Sequence, residues 1–222
     1  MNLQNSVYAA LSGPHSTFAE VRGNARRYPT AVAPFLGLPD DPTDEDWADA
    51  AELLGPGTSG ALMRPALPIP DGFKVVFDLD VVQFVAPASL PAEDPEAVVL
   101  GPDDVPEMLA LVALTDPGPF RTRTIELGTF LGLRRDGRLI AMAGTRFALP
   151  EYTEISGVCT HPDYQGQGLA RRLVRAVAAR ITATGRTPFL HTAARNTAAI
   201  RLYDSLGFTV SSQMRVVDVE PV

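Results

Sequence analysis

Residues 154–172 read EISGVCTHPDYQGQGLARR. The apolar, partly β-branched residues at the start of this stretch are typical of a strand, and Pro162 ends the strand because proline donates no ladder hydrogen bond. Gly166 and Gly168 then permit a sharp turn, and the amphipathic run after them predicts a helix. The first N–H groups of a helix lack acceptors within it, and the helix dipole adds positive potential. This end of the predicted helix can therefore bind phosphate.

The spacing of the glycines excludes two common nucleotide-binding motifs. No Gly-Lys-Ser/Thr sequence follows the turn, so the turn is not a P-loop. The Rossmann fingerprint needs a different glycine spacing and an acidic residue after a second strand, and neither is present. Because a Gly-x-Gly sequence after a strand is also common in ordinary turns, the rest of the chain must decide between the two interpretations.

The composition is that of a soluble globular protein, with 222 residues of which 45% are apolar and 20% charged. No apolar run is long enough to span a membrane, and the first residues lack the pattern of a signal peptide, so we expect a cytoplasmic protein. Cys159 is the single cysteine, which excludes an internal disulfide and a cysteine-based zinc site. A lone cysteine in a strand predicts a small buried residue rather than a nucleophile.

The charge is unevenly distributed along the chain. Residues 1–96 contain 5 Lys/Arg and 14 Asp/Glu, a net charge of −9, whereas residues 97–222 contain 14 and 12, a net charge of +2. This balance argues against nucleic-acid binding, which usually requires a basic face. The acidic half could attract a cationic substrate, although a solvated acidic surface explains it equally simply.

Residues 1–96 form an α/β segment without a recognisable catalytic motif. Thr43 is a predicted N-cap, because three acidic residues follow it in the first turn of an apolar-faced helix. His15 lies in a turn beside a proline and is predicted to be at the surface. Residues 87–95 (PASLPAEDP) are rich in Pro and acidic residues and are the best linker candidate. The segment also contains a predicted helix at 3–11 and predicted strands at 31–35, 61–63, 73–77 and 81–85.

Residues 97–222 alternate between predicted strands and helices. Asp136-Gly137 lies between two apolar runs and predicts an antiparallel hairpin. Asn196 is a predicted N-cap, and Gly207 follows the end of the same predicted helix. The predicted strands are 98–100, 130–133, 139–144, 152–160, 188–192, 208–210 and 214–219, and the predicted helices are 103–114, 169–181 and 197–206.

Two motifs in this order resemble those of the GNAT superfamily of acyl-CoA N-acyltransferases. The first is Gln165-x-x-Gly168-x-Ala170, and the second is Asn196-x₆-Tyr203-x₃-Gly-Phe, as NTAAIRLYDSLGF. The resemblance implies a mixed α/β (α+β) GNAT fold over residues 97–222, with a mostly antiparallel sheet and splayed central strands. A smaller α/β half would precede it at residues 1–90, similar to the degenerate half of a branch that includes glycine N-acyltransferase.

The resemblance also assigns residues to the acyl donor, acetyl-CoA. The pantetheine arm would lie between the splayed strands and pair with backbone groups, and the Val158 N–H would polarise the thioester carbonyl. The N–H groups of the glycine loop would hold the pyrophosphate, and Arg171 or Arg172 could also reach it. The implied cofactor-binding residues are Val158, Cys159, Thr160, Gln165, Gly166, Gln167, Gly168, Leu169, Ala170, Arg171 and Asn196.

The resemblance assigns the proton transfers to two catalytic residues. Tyr203 would protonate the departing thiolate, although a buried aromatic on an amphipathic helix is the simpler interpretation of a lone tyrosine. An alkyl amine must lose a proton before it attacks, and Glu154 is the candidate base, directly or through water. Strand alternation predicts that Glu154 and Val158 lie on the same side. His161 and His191 are alternative bases.

The sequence thus predicts an acetyl-CoA-dependent N-acetyltransferase that acts by direct transfer, without a metal or an acyl-enzyme. The acceptor would be an amine of a small molecule, an amino acid or a peptide N-terminus, with no nucleic acid or membrane as partner. GNAT proteins often pair through terminal strands, so a homodimer is a further prediction. The alternatives are a transferase of longer acyl groups or to oxygen, a non-catalytic CoA-binding sensor or scaffold, and a partner-binding role for residues 1–96.

Overall fold

A computed structural model describes residues 3–222 as one large sheet with helices on both faces and a small second sheet at the side. Single turns of 3₁₀ helix occur at Leu3–Asn5, Ser16–Phe18, Pro102–Asp104, Thr124–Leu127 and Pro162–Tyr164. In chain order the α-helices and strands are α1 (Ser6–Leu11), β1 (Glu20–Arg22), β2 (Ala25–Arg27), β3 (Leu36–Gly37), α2 (Asp44–Leu54), β4 (Gly60–Arg64), β5 (Phe73–Val85), β6 (Val98–Leu100), α3 (Val105–Thr115), β7 (Phe130–Arg135), β8 (Arg138–Ala148), β9 (Tyr152–Thr160), α4 (Leu169–Ala183), β10 (Thr187–Ala193), α5 (Thr197–Ser205) and β11 (Thr209–Pro221).

The large sheet has eight strands in the order β4-β11-β5-β10-β9-β8-β7-β6. Every neighbouring pair is antiparallel except β9 and β10, which are parallel. The predicted mixed, mostly antiparallel sheet is therefore confirmed. The small sheet contains β1, β2 and β3.

The large sheet is built from both halves of the chain. β5 lies between β11 and β10, and β4 pairs with the other side of β11. Residues 87–95 therefore do not separate two sheets, which corrects the division at that linker into residues 1–90 and 97–222. The prediction missed this because the partners of β5 lie about a hundred residues further along the chain.

Two long strands replace pairs of short predicted strands. β5 is continuous from Phe73 to Val85, and β11 is continuous from Thr209 to Pro221, because the two pair with each other along nearly their whole length. The predicted break in β11 coincides with a register shift between Val210 and Ser212, whereas residues 78–80 of β5 pair in regular register. The strand predicted at 31–35 is wrong, since the strand found there is Leu36–Gly37 and residue Phe35 forms only an isolated bridge, with Ala61.

The helices cover opposite faces of the large sheet. α4 packs against β8 and β9 through residues spaced three and four apart, and Leu173 and Val174 are completely buried. Each of these side chains contributes roughly 1.5–3 kcal/mol through burial. The helices α1 and α3 contact β8 from the other face. The capping prediction for α2 is confirmed, since the Asp46 N–H donates to Thr43 Oγ1 at 3.3 Å and the Thr43 N–H donates to Asp46 Oδ2 at 2.8 Å.

His15 is not at the surface, as the sequence had predicted. Only 5% of the residue is exposed, and its Nδ1 lies 2.8 Å from the Tyr28 hydroxyl. The turn that contains it folds back onto the core formed by α1, so the proline beside it marks a buried turn.

Among the helices between residues 3 and 222, none combines the length and the apolar composition needed to cross a membrane. The same residues contain no group of three or more His, Cys, Asp or Glu side chains placed to hold a metal ion.

Candidate functional site

The site lies where β9 and β10 separate. The two strands pair in parallel only over Tyr152–Ile155 and Thr187–Leu190. Beyond that point β9 continues to pair with β8 up to Thr160, while β10 continues to pair with β5 up to Ala193. A gap therefore opens between two strands that are each held firmly on their other side, and their facing edges form no ladder with each other.

A β-bulge reshapes β9 at the mouth of this gap. Ser156 pairs with Gly144 and Cys159 pairs with Met142, so two residues of β9 face one residue of β8. Gly157, inside the bulge, has a φ of 63°, which favours glycine. The bulge reverses the alternation of side chains, so Val158 packs with the core beneath α4. The prediction that Glu154 and Val158 share a side is therefore wrong.

The glycine loop follows directly and is open to the outside. Gly166 and Gly168 both have a φ of 75°, and a Cβ added to either would meet no atom within 4 Å. Residues 166–171 carry six consecutive backbone N–H groups without an acceptor anywhere in residues 3–222, and the first helical bond runs from the Arg172 N–H to the Gly168 oxygen at 3.1 Å. An open series of backbone donors with glycine at two of its positions fits a pyrophosphate.

The arginines beside the loop are already engaged with protein groups. Arg172 donates to both carboxylate oxygens of Asp94, at 2.6 and 2.8 Å, and to Glu96 at 2.9 Å. These hydrogen bonds from Arg172 lower the pKa of Asp94. Arg171 donates to Ser205 Oγ at 2.7 Å on the surface. The free donors of the loop are thus backbone groups, as the motif predicts.

The side chains of Cys159 and Thr160 in β9 lie at the gap and differ in what they can offer a ligand. Cys159 is 6% exposed, and burial raises the pKa of its thiol to about 11. The thiol is therefore protonated at neutral pH and is a poor nucleophile. The Thr160 hydroxyl is buried and has no hydrogen-bond partner in the part of the chain that the structure describes. A buried hydroxyl without a partner is unusual and is available to a ligand in the gap.

The second motif forms the helix after β10. Asn196 caps α5, and its Oδ1 accepts from the Ala199 N–H at 3.1 Å. Two turns further along, Tyr203 is 5% exposed, with its ring centroid 5.9 Å from that of Phe84 and 5.6 Å from that of Phe208. Burial raises the pKa of the phenol, so Tyr203 keeps its proton at neutral pH. Its hydroxyl has no hydrogen-bond partner within residues 3–222.

Glu154 lies in a closed ionic cluster. It is 1% exposed, and it accepts from Arg146 Nε and Nη2, each at 2.7 Å, and from His191 Nδ1 at 2.8 Å. Burial alone would raise the pKa of Glu154, but the charge and hydrogen bonds of Arg146 and the bond from His191 together lower it to about 2. A carboxylate with both oxygens occupied and so low a pKa is unsuited to remove a proton, so this geometry does not fit the role of base that the sequence predicted for Glu154.

The alternative bases predicted from the sequence are also buried. His161 is 7% exposed, and its Nε2 lies 2.7 Å from Arg138 Nη2. The side chain of His191 is 4% exposed, and its Nε2 lies 2.9 Å from Gln83 Nε2. Neither imidazole presents a free nitrogen to the gap.

Known proteins resemble the chain at two levels. The FR47-like protein family model matches residues 130–217, which contain the gap, the glycine loop and Tyr203. A crystal structure of a protein assigned as a GNAT-family acetyltransferase, from Novosphingobium aromaticivorans DSM 12444, is 40% identical and superposes with a TM-score of 0.90. That similarity covers 99% of this chain and 98% of the other. The chain belongs to the GNAT family.

A second GNAT structure shares the fold of the whole chain. The GCN5-related N-acetyltransferase from Kribbella flavida is 18% identical, with a TM-score of 0.67, over 100% of this chain and 96% of the other. That structure therefore shares the overall fold of both halves of this chain. The predicted link of the first half to the glycine N-acyltransferase branch stays a prediction.

Curated relatives match about a third of this GNAT protein. The [ribosomal protein bS18]-alanine N-acetyltransferase of Escherichia coli K12 is 38% identical over 84 residues, which are 37% of this chain and 56% of that enzyme. The L-methionine sulfoximine/L-methionine sulfone acetyltransferase of Salmonella typhimurium LT2 is 39% identical over 70 residues, which are 31% and 41% of the two chains. The chain thus spans about half the length of the curated relatives it matches.

Three features of this GNAT site were missed from the sequence. Gly157 carried a usable signal, because an isolated glycine inside a strand often marks a bulge. For Arg146 and Gln83 the sequence signal was weak, since each is only a polar residue within an apolar strand. Their partners come from other strands, so no local pattern could have connected them to Glu154.

Proposed function

We propose that this GNAT-family chain is an acetyl-CoA-dependent N-acetyltransferase that moves an acetyl group directly to an amine. One observation carries the proposal: the unpartnered backbone N–H groups of residues 166–171 lie at the end of the gap between β9 and β10. A diphosphate and an extended amide-containing arm need this combination, a helix N-terminus followed by a free strand edge.

The residues of the chain hold the acyl donor in two parts. The N–H groups from Gly166 to Arg171 take the pyrophosphate, with room for it because neither glycine of the loop carries a Cβ. The free edge of β9 at Val158, Cys159 and Thr160 pairs with the pantetheine amides as an added strand would. Asn196 caps α5 with its oxygen and keeps its amide N–H groups for the same ligand.

Acetyl transfer needs a stabilised oxyanion and a protonated leaving group. The amine nitrogen attacks the thioester carbonyl carbon, and the N–C bond forms as the Val158 N–H donates to the developing oxyanion. The C–S bond then breaks, and Tyr203 gives its proton to the sulfur and recovers one from solvent. Burial keeps Tyr203 protonated until that step. The high pKa of Cys159 supports direct transfer over an acyl-enzyme.

The proton of the amine passes to water in this proposal. Glu154 is neutralised by Arg146 and fully enclosed, so the proton acceptor is solvent at the open mouth of the gap. At neutral pH only a small fraction of an alkyl amine is unprotonated, so activity should rise with pH until the acceptor amine is neutral.

The acceptor is proposed to be an amine of a small molecule, an amino acid or a peptide N-terminus. The names of the two curated relatives support this class, since one modifies an alanine of a ribosomal protein and the other modifies analogues of methionine. A cytoplasmic location and a homodimer stay predictions, which cell fractionation and sedimentation would test.

Calorimetric titration with acetyl-CoA, followed by a thiol-release assay with amino acids and short peptides, tests the function. We expect saturable binding of acetyl-CoA and CoA, and CoA release that depends on an added amine. If neither acetyl-CoA nor CoA gave a heat of binding, the proposed cofactor site would be wrong. Tight binding without release with any amine would favour the sensor or scaffold interpretation.

A further inference from the structure

The side chain of His191 bridges β10 and β9 at the point where their backbone pairing ends. Ile155 and Leu190 are the last paired residues. The next residue of β10, His191, reaches back to β9 and places its Nδ1 2.8 Å from Glu154 Oε1. This bond spans the point from which the two strands diverge.

The hydrogen bonds of Gln83 determine where His191 carries its proton. Gln83 Nε2 donates to the Leu3 carbonyl oxygen at 3.0 Å, and that oxygen can only accept. The amide nitrogen of Gln83 must therefore face Leu3, and the same nitrogen lies 2.9 Å from His191 Nε2, towards which its second N–H can point. The Nε2 atom thus accepts, so Nδ1 carries the proton and donates it to Glu154.

Arg146 holds Glu154 from the side opposite His191, so that four side chains form one hydrogen-bonded row. Arg146 of β8 binds both oxygens of Glu154, and its guanidinium lies 4.8 Å from the ring centre of Phe35 and 4.6 Å from that of Phe147. Arg146, Glu154, His191 and Gln83 belong to β8, β9, β10 and β5, which are adjacent in the sheet. The row therefore ties four strands together across the base of the gap.

We propose that this row is a brace that sets the width of the gap between β9 and β10, and that Glu154 and His191 act as positioning residues rather than proton acceptors. The proposal rests on the proposed function for its link to acetyl-CoA, because the gap is where the pantetheine arm would bind. The three donors on Glu154 and the occupied Nε2 of His191 leave neither group a free site for a substrate proton.

Two substitutions of His191 distinguish a role in the brace from a role as catalytic base. In His191→Asn the amide nitrogen lies near the former Nδ1 and can still donate to Glu154, but the basic Nε2 is lost. In His191→Phe the ring volume is kept and both hydrogen bonds are lost. Neither change removes a charge from the Arg146–Glu154 pair. His15→Phe is the matched control, since it replaces another buried histidine, whose ring lies 2.8 Å from the Tyr28 hydroxyl and beside Phe18 and contacts none of Arg146, Glu154, His191 and Gln83.

Acetyl-CoA affinity and steady-state kinetics are measured for the four proteins. We expect His191→Phe to weaken acetyl-CoA binding and raise its KM about tenfold, as for a lost hydrogen bond to a charged acceptor. His191→Asn should stay close to wild type, and kcat should keep its pH profile in both. A loss of kcat of a hundredfold or more in both variants would make His191 a base. If His191→Phe bound acetyl-CoA as tightly as wild type, the row would only stabilise the fold and the proposed brace would be wrong.

Amide hydrogen exchange without ligand gives an independent readout. Exchange at residues 156–160 should be faster in His191→Phe than in wild type, His191→Asn or His15→Phe. Equal exchange in all four proteins would overturn the brace. If wild type failed to bind acetyl-CoA, the proposed function would fail, and this comparison would still decide whether the row holds the strands.

Discussion

Replacing Gly168 with aspartate should strongly weaken acetyl-CoA binding without unfolding the protein. Gly168 has a φ of 75°, and a Cβ there meets no atom within 4 Å. Aspartate tolerates this left-handed conformation better than most residues. A carboxylate at a helix N-terminus also stabilises the helix, by about 0.3–1 kcal/mol, which offsets a cost of about 1 kcal/mol for the backbone conformation. The melting temperature should therefore change little.

The same carboxylate would repel the pyrophosphate. At a separation of about 5 Å and an effective dielectric constant of roughly 20–80, each phosphate charge meets about 1–3 kcal/mol of repulsion. For two phosphate charges this amounts to about 2–6 kcal/mol, an affinity loss of at least about thirtyfold. The carboxylate would also occupy the free N–H groups of residues 166–171.

Gly168→Asn is the matched control, because asparagine has the same shape and the same tolerance of the left-handed region but no charge. Calorimetry should show that Gly168→Asn binds acetyl-CoA only a few-fold more weakly than wild type. The difference in affinity between the two variants should decrease at high salt. Equal affinities of the two variants would refute the electrostatic argument. Equally tight binding by wild type and both variants would show that the loop does not contact the ligand.

Three further substitutions test other parts of the site and the fold. Tyr203→Phe keeps the contacts with two aromatic rings, so acetyl-CoA affinity should hold within about twofold while kcat falls by about 10²–10⁴, and an unchanged kcat would remove the acid from the mechanism. Glu154→Gln leaves the buried charge of Arg146 uncompensated and should lower the free energy of unfolding in urea by about 3–5 kcal/mol, so a stability equal to wild type would contradict the buried pair. Burial, with a smaller effect of Arg186, lowers the pKa of His15 from 6.5 to about 4. The unfolded chain therefore takes up the proton first as pH falls, and a stability contribution present above about pH 6.5 should decline by roughly 3 kcal/mol towards pH 4. His15→Phe should flatten that part of the urea-unfolding pH profile, and an unaltered profile would show that another group is responsible.

Local patterns predicted the elements that depend on local rules. The hairpin at Asp136-Gly137 needs positive φ at both residues, and the observed values are 51° and 81°. The cap at Thr43 and the glycine loop before α4 also follow from a few adjacent residues. These features could be predicted because the interactions that create them lie within one or two turns of chain.

The environment of Glu154 could not be predicted in this way. Its position in the strand indicated a base acting directly or through water, but Arg146 comes from the neighbouring strand and His191 from the strand on the other side. The first half of the chain supplies Phe35, which covers Arg146. A carboxylate changes from base to buried counter-ion through contacts that span more than a hundred residues of sequence, and one sequence gives no signal for them.

The position of β5 also constrains the order in which the chain can fold. Its two neighbours in the sheet, β10 and β11, begin at Thr187 and Thr209, so β5 is made long before either partner exists. Pairings of such high sequence separation close large loops and slow folding. During synthesis β5 can pair on one side once β10 has emerged, but its other edge stays unpaired until β11 follows, so a chain ending before Thr209 should be digested at β5 faster than the full sequence. Because β11 lies between β4 and β5, the large sheet can be completed only after β11 has been synthesised.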